Sequence, residues 1–225
     1  GSAALSWAPT KFGLIAGGGG RKGGGLRPGG GIDSHAAVTR FLGVPSDLLM
    51  DDRLPNTGFH QFNGMIKTNW TPSSRTQVVS AYTATRQDGA HRYDQELGGD
   101  GNLIAELNDL TLDLFYTRLE RSGLGWFDHG AFTYSINSQR EERVNQGGQG
   151  SSTAAIGHEP ERTTSNAVQI ALNKSLARAN FQVGGDTQFE KLISDSFNIN
   201  PVTGARSLRR PRVPSNPEFI QGGGV

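Results

Sequence analysis

The sequence predicts an all-β chain: an antiparallel up-and-down transmembrane β-barrel segment of about eight strands, with short turns at one rim and long loops at the other. Apolar residues recur with period two rather than with the period of a helix, which is typical of strands with two different faces. No apolar run approaches the roughly 18 residues of a membrane-spanning helix. Tight turns alternate along the chain with long polar connections, as in bacterial outer-membrane barrels.

The composition argues against a large core packed between two layers in water. Of the 225 residues, 34% are hydrophobic and 19% are charged, both below the roughly 45–50% and 25% of typical soluble domains. The chain has no Cys, which excludes a disulfide framework, a thiolate metal site and a Cys nucleophile. A net charge of +1 gives no signature of nucleic-acid binding.

The N-terminal half contains two predicted hairpins. The first turns at residues 8–11, with alternating apolar positions before the turn and again over residues 12–16. The second covers residues 59–88 and turns at residues 71–74, where Pro and Ser interrupt the alternation. Each strand is long enough for the roughly 9–11 residues that a tilted membrane strand needs.

The third hairpin shows the clearest alternation and predicts which residues face lipid and which face the lumen. Its turn is predicted at residues 120–123, which contain Ser and Gly. We expect lipid contact at Leu110, Leu112, Leu114, Phe132, Tyr134 and Ile136. We expect the lumen-facing positions to be Thr111, Asp113, Thr133, Ser135 and Asn137.

A fourth hairpin is predicted over residues 167–184, with its turn at residues 173–175. Between the hairpins lie the long polar connections, which would be unusual in a compact soluble domain. They cover residues 17–58, 88–102, 139–164 and 185–225. Aromatic residues stand beside the tight turns, where an interfacial girdle would place them: Trp7, Trp70, Trp126 and Phe127.

The alternative interpretation is a secreted or surface β-sandwich that binds a glycan or a protein. High polar content supports it, but such a module must hide its apolar face between two sheets. Solubility without detergent separates the two interpretations.

No pattern of catalytic or metal-ligating residues is present, so we expect no enzyme activity, no cofactor and no metal site. The five His residues form no H-E-x-x-H string, and no G-x-S-x-G or phosphate-binding G-x-x-x-x-G-K-[ST] motif occurs. A basic cluster near the C-terminus could contact anionic lipopolysaccharide groups, since Arg favours phosphate. It contains Arg206, Arg209, Arg210 and Arg212.

Three segments within the polar connections resemble the barrel region of TonB-dependent outer-membrane receptors, particularly the Oar-like branch. They are LRPGGGIDSHAAVTRFLG at residues 26–43, RYDQELGGDGNL at residues 92–103 and QREERVNQGG at residues 139–148. These are family-level loop strings rather than mechanistic motifs. The family-like loop positions are Arg27, Asp33, His35, Arg40, Arg92, Asp94, Asp100, Arg140 and Arg143.

The resemblance implies a bacterial outer-membrane receptor in which a plug domain fills a large barrel and a TonB-type protein supplies energy from the inner membrane. Residues 1–225 would be part of the barrel domain, with residues 191–225 a long loop or an incomplete end. Neither a plug nor the energy-coupling box is visible in the sequence. The partners expected are outer-membrane lipid and a small-molecule, glycan or peptide cargo, with no nucleic acid.

Overall fold

The computed structural model describes residues 1–27, 53, 57–92, 95, 103–147, 151–214 and 217–224. These residues form strands and connections without a helix, and so include no helix able to cross a membrane. The strands are β1 (Ser2–Trp7), β2 (Phe12–Gly23), β3 (Phe59–Ser73), β4 (Thr76–Asp88), β5 (Ala90–His91), β6 (Ile104–Leu124), β7 (Phe127–Gln146), β8 (Ile156–Leu176), β9 (Ala179–Ser194), β10 (Phe197–Ile199), β11 (Arg206–Leu208) and β12 (Glu218–Gly224).

All twelve strands belong to one antiparallel sheet, so the predicted all-β, up-and-down fold class is confirmed. Strands β1, β2, β3, β4, β6, β7, β8 and β9 follow one another across the sheet and correspond to the four predicted hairpins. β12 pairs with the far side of β9, and the short β10 and β11 extend from the first residues of β8. Within the described residues there is no second sheet to form a sandwich.

Each of the four hairpins has a tight turn, and these turns lie at one rim of the sheet. Only the first turn lies where the sequence predicts it. β1 ends at Trp7 and β2 begins at Phe12, which confirms the turn at residues 8–11. The other three turns come later than predicted, at residues 74–75, 125–126 and 177–178. In the third hairpin, Gly125 has a φ of 59°, a conformation that glycine adopts without a steric cost, and this places the reversal beyond residues 120–123.

The strands also extend into the polar connections at the opposite rim. The stretch predicted as a loop over residues 139–164 contains the last part of β7, to Gln146, and the first part of β8, from Ile156. Arg140 and Arg143 therefore lie in a strand, not in a loop. Residues 191–225, predicted as a long loop or an incomplete end, contain the end of β9 and all of β10, β11 and β12.

Directly paired residues share a face of an antiparallel sheet, so the register assigns every paired side chain to one of two faces. The face defined here as the apolar face carries Trp7, Phe12, Leu14, Ile66, Trp70, Val78, Tyr82, Phe115, Leu119, Phe132, Tyr134, Ile136, Val168, Ile170, Leu172, Val183 and Phe189. The polar face carries Asn63, Lys67, Asn69, Gln77, Thr83, Thr85, Tyr116, Arg118, Thr133, Ser135, Asn137, Ser165, Gln169, Gln188 and Glu190.

The apolar face is exposed across the sheet. Trp70 is 51% exposed, Phe132 40% and Ile170 46%. The buried hydrophobic residues among those described are only Ala105, Ala131 and Val144. A contiguous apolar surface of this kind marks a region that contacts another apolar phase or partner.

The register contradicts the predicted faces of β6. Leu114 pairs with Asn137 and Thr83, which places it on the polar face. Asp113 pairs with Ser138, on the same face as Ile136. The prediction that Leu110, Leu112 and Leu114 share a face with Phe132, Tyr134 and Ile136 is therefore wrong, as is the grouping of Thr111 and Asp113 with Thr133, Ser135 and Asn137.

The apolar face of β6 instead uses the other set of positions, with Phe115 opposite Ile136 and Leu119 opposite Phe132. Sequence alternation alone is ambiguous here because apolar side chains occur at both Leu114 and Phe115. A shift by one residue moves every side chain of a strand to the other face. The two faces of β7 are internally consistent with the prediction.

The absence of native Cys allows a direct test of this register. Leu114→Cys with Asn137→Cys should crosslink efficiently on oxidation or with a short thiol reagent, since paired Cβ atoms lie about 4.5–5.5 Å apart. Leu114→Cys with Ile136→Cys is the matched control and should not crosslink, because the two side chains lie on opposite faces. Mass spectrometry of the digested chain measures both yields. Preferential crosslinking of the control pair would restore the original assignment.

Candidate functional site

The polar face contains a depression near the long-loop end of the strands. Its volume is about 460 Å³, and it opens between β3, β4, β6, β7 and β8. The lining residues of the polar face are Gln61, Thr85, Gln87, Leu110, Leu112, Gln139, Glu141, Glu161 and Thr163. Two further depressions on this face lie beside it, over Gln61 and Asn63 and over Met65 and Thr83.

A β-bulge in β6 lies beside the depression. Asn108 pairs with Glu142 and Thr111 with Arg140, so two residues of β6 oppose the single residue Glu141 of β7. The first of the two, Asp109, has a φ of 54°, and Asp is among the few residues that adopt this left-handed conformation at modest cost. Bulges redirect side chains and are frequent beside functional sites.

The depression offers hydrogen-bonding groups without a catalytic arrangement. Three amides, from Gln61, Gln87 and Gln139, share it with three threonines, two carboxylates and Arg140. The carboxylates belong to Glu141 and Glu161, which pair directly across β7 and β8. Such a surface offers polar solutes many weak hydrogen-bonding contacts. No cluster of three His, Asp or Glu side chains that could hold a metal occurs among the described residues.

The two acidic residues are each held by a different partner. Arg143 Nε donates to Glu141 Oε1 at 3.1 Å, and Ser194 Oγ donates to Glu161 Oε1 at 3.4 Å. Arg143, predicted as a family-like loop position, thus positions a carboxylate at the edge of the depression. Glu141 and Glu161 are like charges in directly paired positions, which is unfavourable in a sheet. The two hydrogen bonds offset part of that cost.

A polar group that the sequence analysis missed stands on the apolar face. Arg86 donates two hydrogen bonds of 2.9 Å to Asp113, one to each carboxylate oxygen. The Tyr82 hydroxyl donates to the same carboxylate. In the sequence, Tyr82 and Arg86 are four residues apart and therefore lie on one face of β4. Their partner Asp113 was predicted to face the lumen together with Thr133, so the sequence did not bring the three residues together.

The β10–β11 hairpin forms a further cluster at the long-loop rim. The His158 ring stacks on Phe197 with centroids 4.9 Å apart, and the Arg206 guanidinium lies 3.8 Å from the same Phe197 centroid. His158 Nδ1 is 2.9 Å from Glu142 Oε1. Arg209 pairs with Glu159 at 3.3 Å.

Two members of the predicted basic cluster therefore have protein partners. Arg206 packs on Phe197 and approaches Asp195 at 3.5 Å, while Arg209 contacts Glu159. Arg210 and Arg212 are exposed.

The remaining family-like positions are separated by the fold or lie outside the described residues. Arg27 follows β2 and is exposed, and the backbone N–H of Arg92 donates to Ala105 at 2.6 Å. Arg140 and Arg143 are both in β7 but point to opposite faces. The positions outside the described residues are Asp33, His35, Arg40, Asp94 and Asp100.

Comparison with known proteins gives a likeness in structure but none in sequence. No protein-family model and no curated protein match the sequence. The solved structure of the copper transporter OprC resembles this chain with a TM-score of 0.68 at 10% sequence identity, over 99% of this chain and 32% of that chain. The chain has the fold of an outer-membrane β-barrel segment. It spans about a third of the length of the transporter that it resembles.

At the short-turn rim, Asp128 at the start of β7 links this strand to the end of β8. Its carboxylate accepts a hydrogen bond of 2.7 Å from Lys174 Nζ and one of 2.8 Å from the Ser175 backbone N–H. Lys174 also lies 5.9 Å from the Trp126 ring centroid, a cation–π distance. Trp126 packs edge-on against Phe127 with centroids 5.1 Å apart.

Asp128→Asn should weaken this rim in a pH-dependent manner. The hydrogen bond from Lys174, followed by that from the Ser175 N–H, lowers the pKa of Asp128 below its ordinary value of 3.8. A lowered folded-state pKa stabilises the fold above pH 3.8 and loses that contribution as the pH falls through the lowered pKa. The thermal unfolding midpoint of the variant should lie below wild type at pH 7, and the gap should close under acidic conditions. A gap independent of pH would show that the ionised carboxylate is not responsible.

Proposed function

We propose that this chain forms part of the wall of an outer-membrane active transporter, of the TonB-dependent receptor type, in a Gram-negative bacterium. The observation that carries the proposal is the division of a single sheet into an exposed apolar face and a polar face. Strands that alternate apolar outward and polar inward are the signature of a transmembrane barrel. The likeness to part of OprC supports a transporter-like barrel.

The two sheet edges support a larger barrel. β1 pairs only with β2, and β12 pairs only with β9, within the described residues. A spanning sheet in lipid must pair all of its backbone groups, because no water is present to satisfy them. In the proposed transporter, neighbouring strands of a closed barrel pair with both edges.

The polar face would line the lumen, and passage rather than catalysis would be its function. The depression near Gln61 and Gln139 would contact a hydrophilic cargo as it enters from the long-loop rim. Selection among siderophore, glycan, peptide and cobalamin would depend on the loops and on a plug. A TonB-type protein would supply the energy. The apolar face would contact outer-membrane lipid.

Adjacent residues of β7 test the proposed lipid contact. Phe132 lies on the apolar face between Leu119 and Ile170, whereas Thr133 lies on the polar face between Arg118 and Gln169. Phe132→Arg should destabilise the assembled barrel by about 2–4 kcal/mol if it sits near the bilayer midplane, because a charge must then enter lipid. Thr133→Arg should cost much less, about 1 kcal/mol or below. It places an Arg opposite Arg118, but both side chains would remain hydrated, so the repulsion between them is largely screened.

The measurement is the amount of heat-resistant folded protein in the outer membrane, for the full-length product of the gene that encodes this chain. Both variants add one Arg to the same strand, so a general effect of charge on expression would affect them equally. Equal loss for the two variants, or a greater loss for Thr133→Arg, would contradict lipid contact at the apolar face. A monodisperse protein without detergent would favour a surface binding module instead.

A further inference from the structure

Two arginines oppose each other directly on the apolar face. Arg140 of β7 pairs with Arg162 of β8. This pair lies two residues closer to the long loops than the pair formed by Ser138 and Thr164. Both side chains are exposed. Like charges in directly paired positions destabilise a sheet, so this arrangement costs stability unless an anion lies between the two guanidinium groups.

Among the described residues no carboxylate forms a hydrogen bond or ion pair with either arginine, and Asp113 acts on Arg162 only through a longer-range attraction. Arg140 has no hydrogen-bond or ion-pair partner among the described residues, and Arg162 has one contact, from Nε to Ser138 Oγ at 3.3 Å. Three other strand arginines have acidic partners, Arg86 with Asp113, Arg118 with Glu120 and Arg143 with Glu141. Arg21 and Arg121 have none among the described residues, but neither stands directly opposite a second arginine. The nearest carboxylates of the same face are engaged elsewhere, Asp113 by Arg86 and Tyr82, and Glu142 by His158.

Hydroxyl groups surround the two arginines. Thr111 pairs with Arg140, and Ser138 pairs with Thr164 on the adjoining strand. Arginine binds phosphate oxygens with two parallel N–H donors, and hydroxyls add further donors to the same group. Two unneutralised guanidinium groups among hydroxyls are therefore suited to a phosphate.

The position of the pair identifies the source of the phosphate. Along β7 the apolar face carries Phe132, Tyr134 and Ile136, and Arg140 follows four residues after Ile136 on the side of the long loops. At about 3.3 Å per residue the arginines lie roughly 13 Å from Ile136 along the strand. A lipid whose acyl chains cover the apolar residues would therefore have its headgroup beside Arg140 and Arg162.

We propose that Arg140 and Arg162 form a binding site for the phosphate of an anionic lipid headgroup on the outer surface of the barrel wall. The site rests on the proposed function, because it requires the apolar face to contact lipid. Binding would relieve the repulsion between the two arginines and tie β7 to β8 at the headgroup level.

The test is thermal unfolding of the full-length gene product in nanodiscs of phosphatidylcholine alone and of phosphatidylcholine with phosphatidic acid. Wild type should be stabilised by phosphatidic acid, and Arg140→Gln should lose most of that shift. In phosphatidylcholine the phosphate is already paired with its own choline cation, so it should relieve the repulsion much less than phosphatidic acid does. In this lipid alone Arg140→Gln should be at least as stable as wild type, because the substitution removes the repulsion. This comparison also shows that the variant folds.

Lys67→Gln is the matched control. Lys67 is an exposed cation on the polar face with no ion pair among the described residues, so its removal changes the net charge equally but should leave the phosphatidic acid shift intact. Equal shifts for wild type and Arg140→Gln would overturn the proposal while leaving the proposed function in place. Equal protection by inorganic phosphate in phosphatidylcholine discs would overturn the assignment to a lipid. Failure of the protein to enter discs would contradict the proposed function and this site together.

Discussion

The ladder of backbone hydrogen bonds through β6, β7 and β8 is the constraint on which the rest of the structure depends. These strands have 21, 20 and 21 residues and remain paired almost throughout. Because side chains alternate strictly along a paired strand, the ladder fixes which residues meet each environment. With almost no buried apolar core among the described residues, pairing rather than core packing organises the sheet.

Period-two alternation was sufficient to predict the fold class and the four hairpins, and the structure confirms both. It also predicted the faces of β7 relative to one another, because Phe132, Tyr134 and Ile136 alternate with small polar residues. It failed for β6, where two alternations compete: the more apolar one, through Leu110, Leu112 and Leu114, lies on the polar face, and the other contains Phe115 and Leu119. The choice between them depends on cross-strand partners such as Asn137 and Ile136, which a single strand does not specify.

The strand ends beside the long loops were not predicted, for a different physical reason. Charged residues such as Arg140, Glu141, Glu142 and Arg143 interrupt the apolar alternation, so a paired strand resembles a loop there. The depression also depends on this region, and its Gln, Thr and Glu side chains come from five separate strands. Their convergence follows from register over distances of up to about a hundred residues, which local sequence patterns do not contain.

Consecutive rungs of β7 and β8 place opposite charges on opposite faces. Glu141 and Glu161 oppose each other on the polar face, and Arg140 and Arg162 oppose each other on the next rung of the apolar face. The acidic pair lines the depression and receives donors from Arg143 and Ser194. This division of charge separates a surface suited to polar cargo from one suited to anionic headgroups at the same height of the wall.

Site-directed spin labelling along residues 132–137 tests the central claim, that the apolar face meets lipid. The absence of native Cys allows a single label at each position of the full-length gene product in a bilayer. The account predicts that accessibility to oxygen peaks at residues 132, 134 and 136, and that accessibility to a water-soluble nickel reagent peaks at residues 133, 135 and 137. Alternation of the opposite phase, or equal access of the nickel reagent at all six positions, would contradict it.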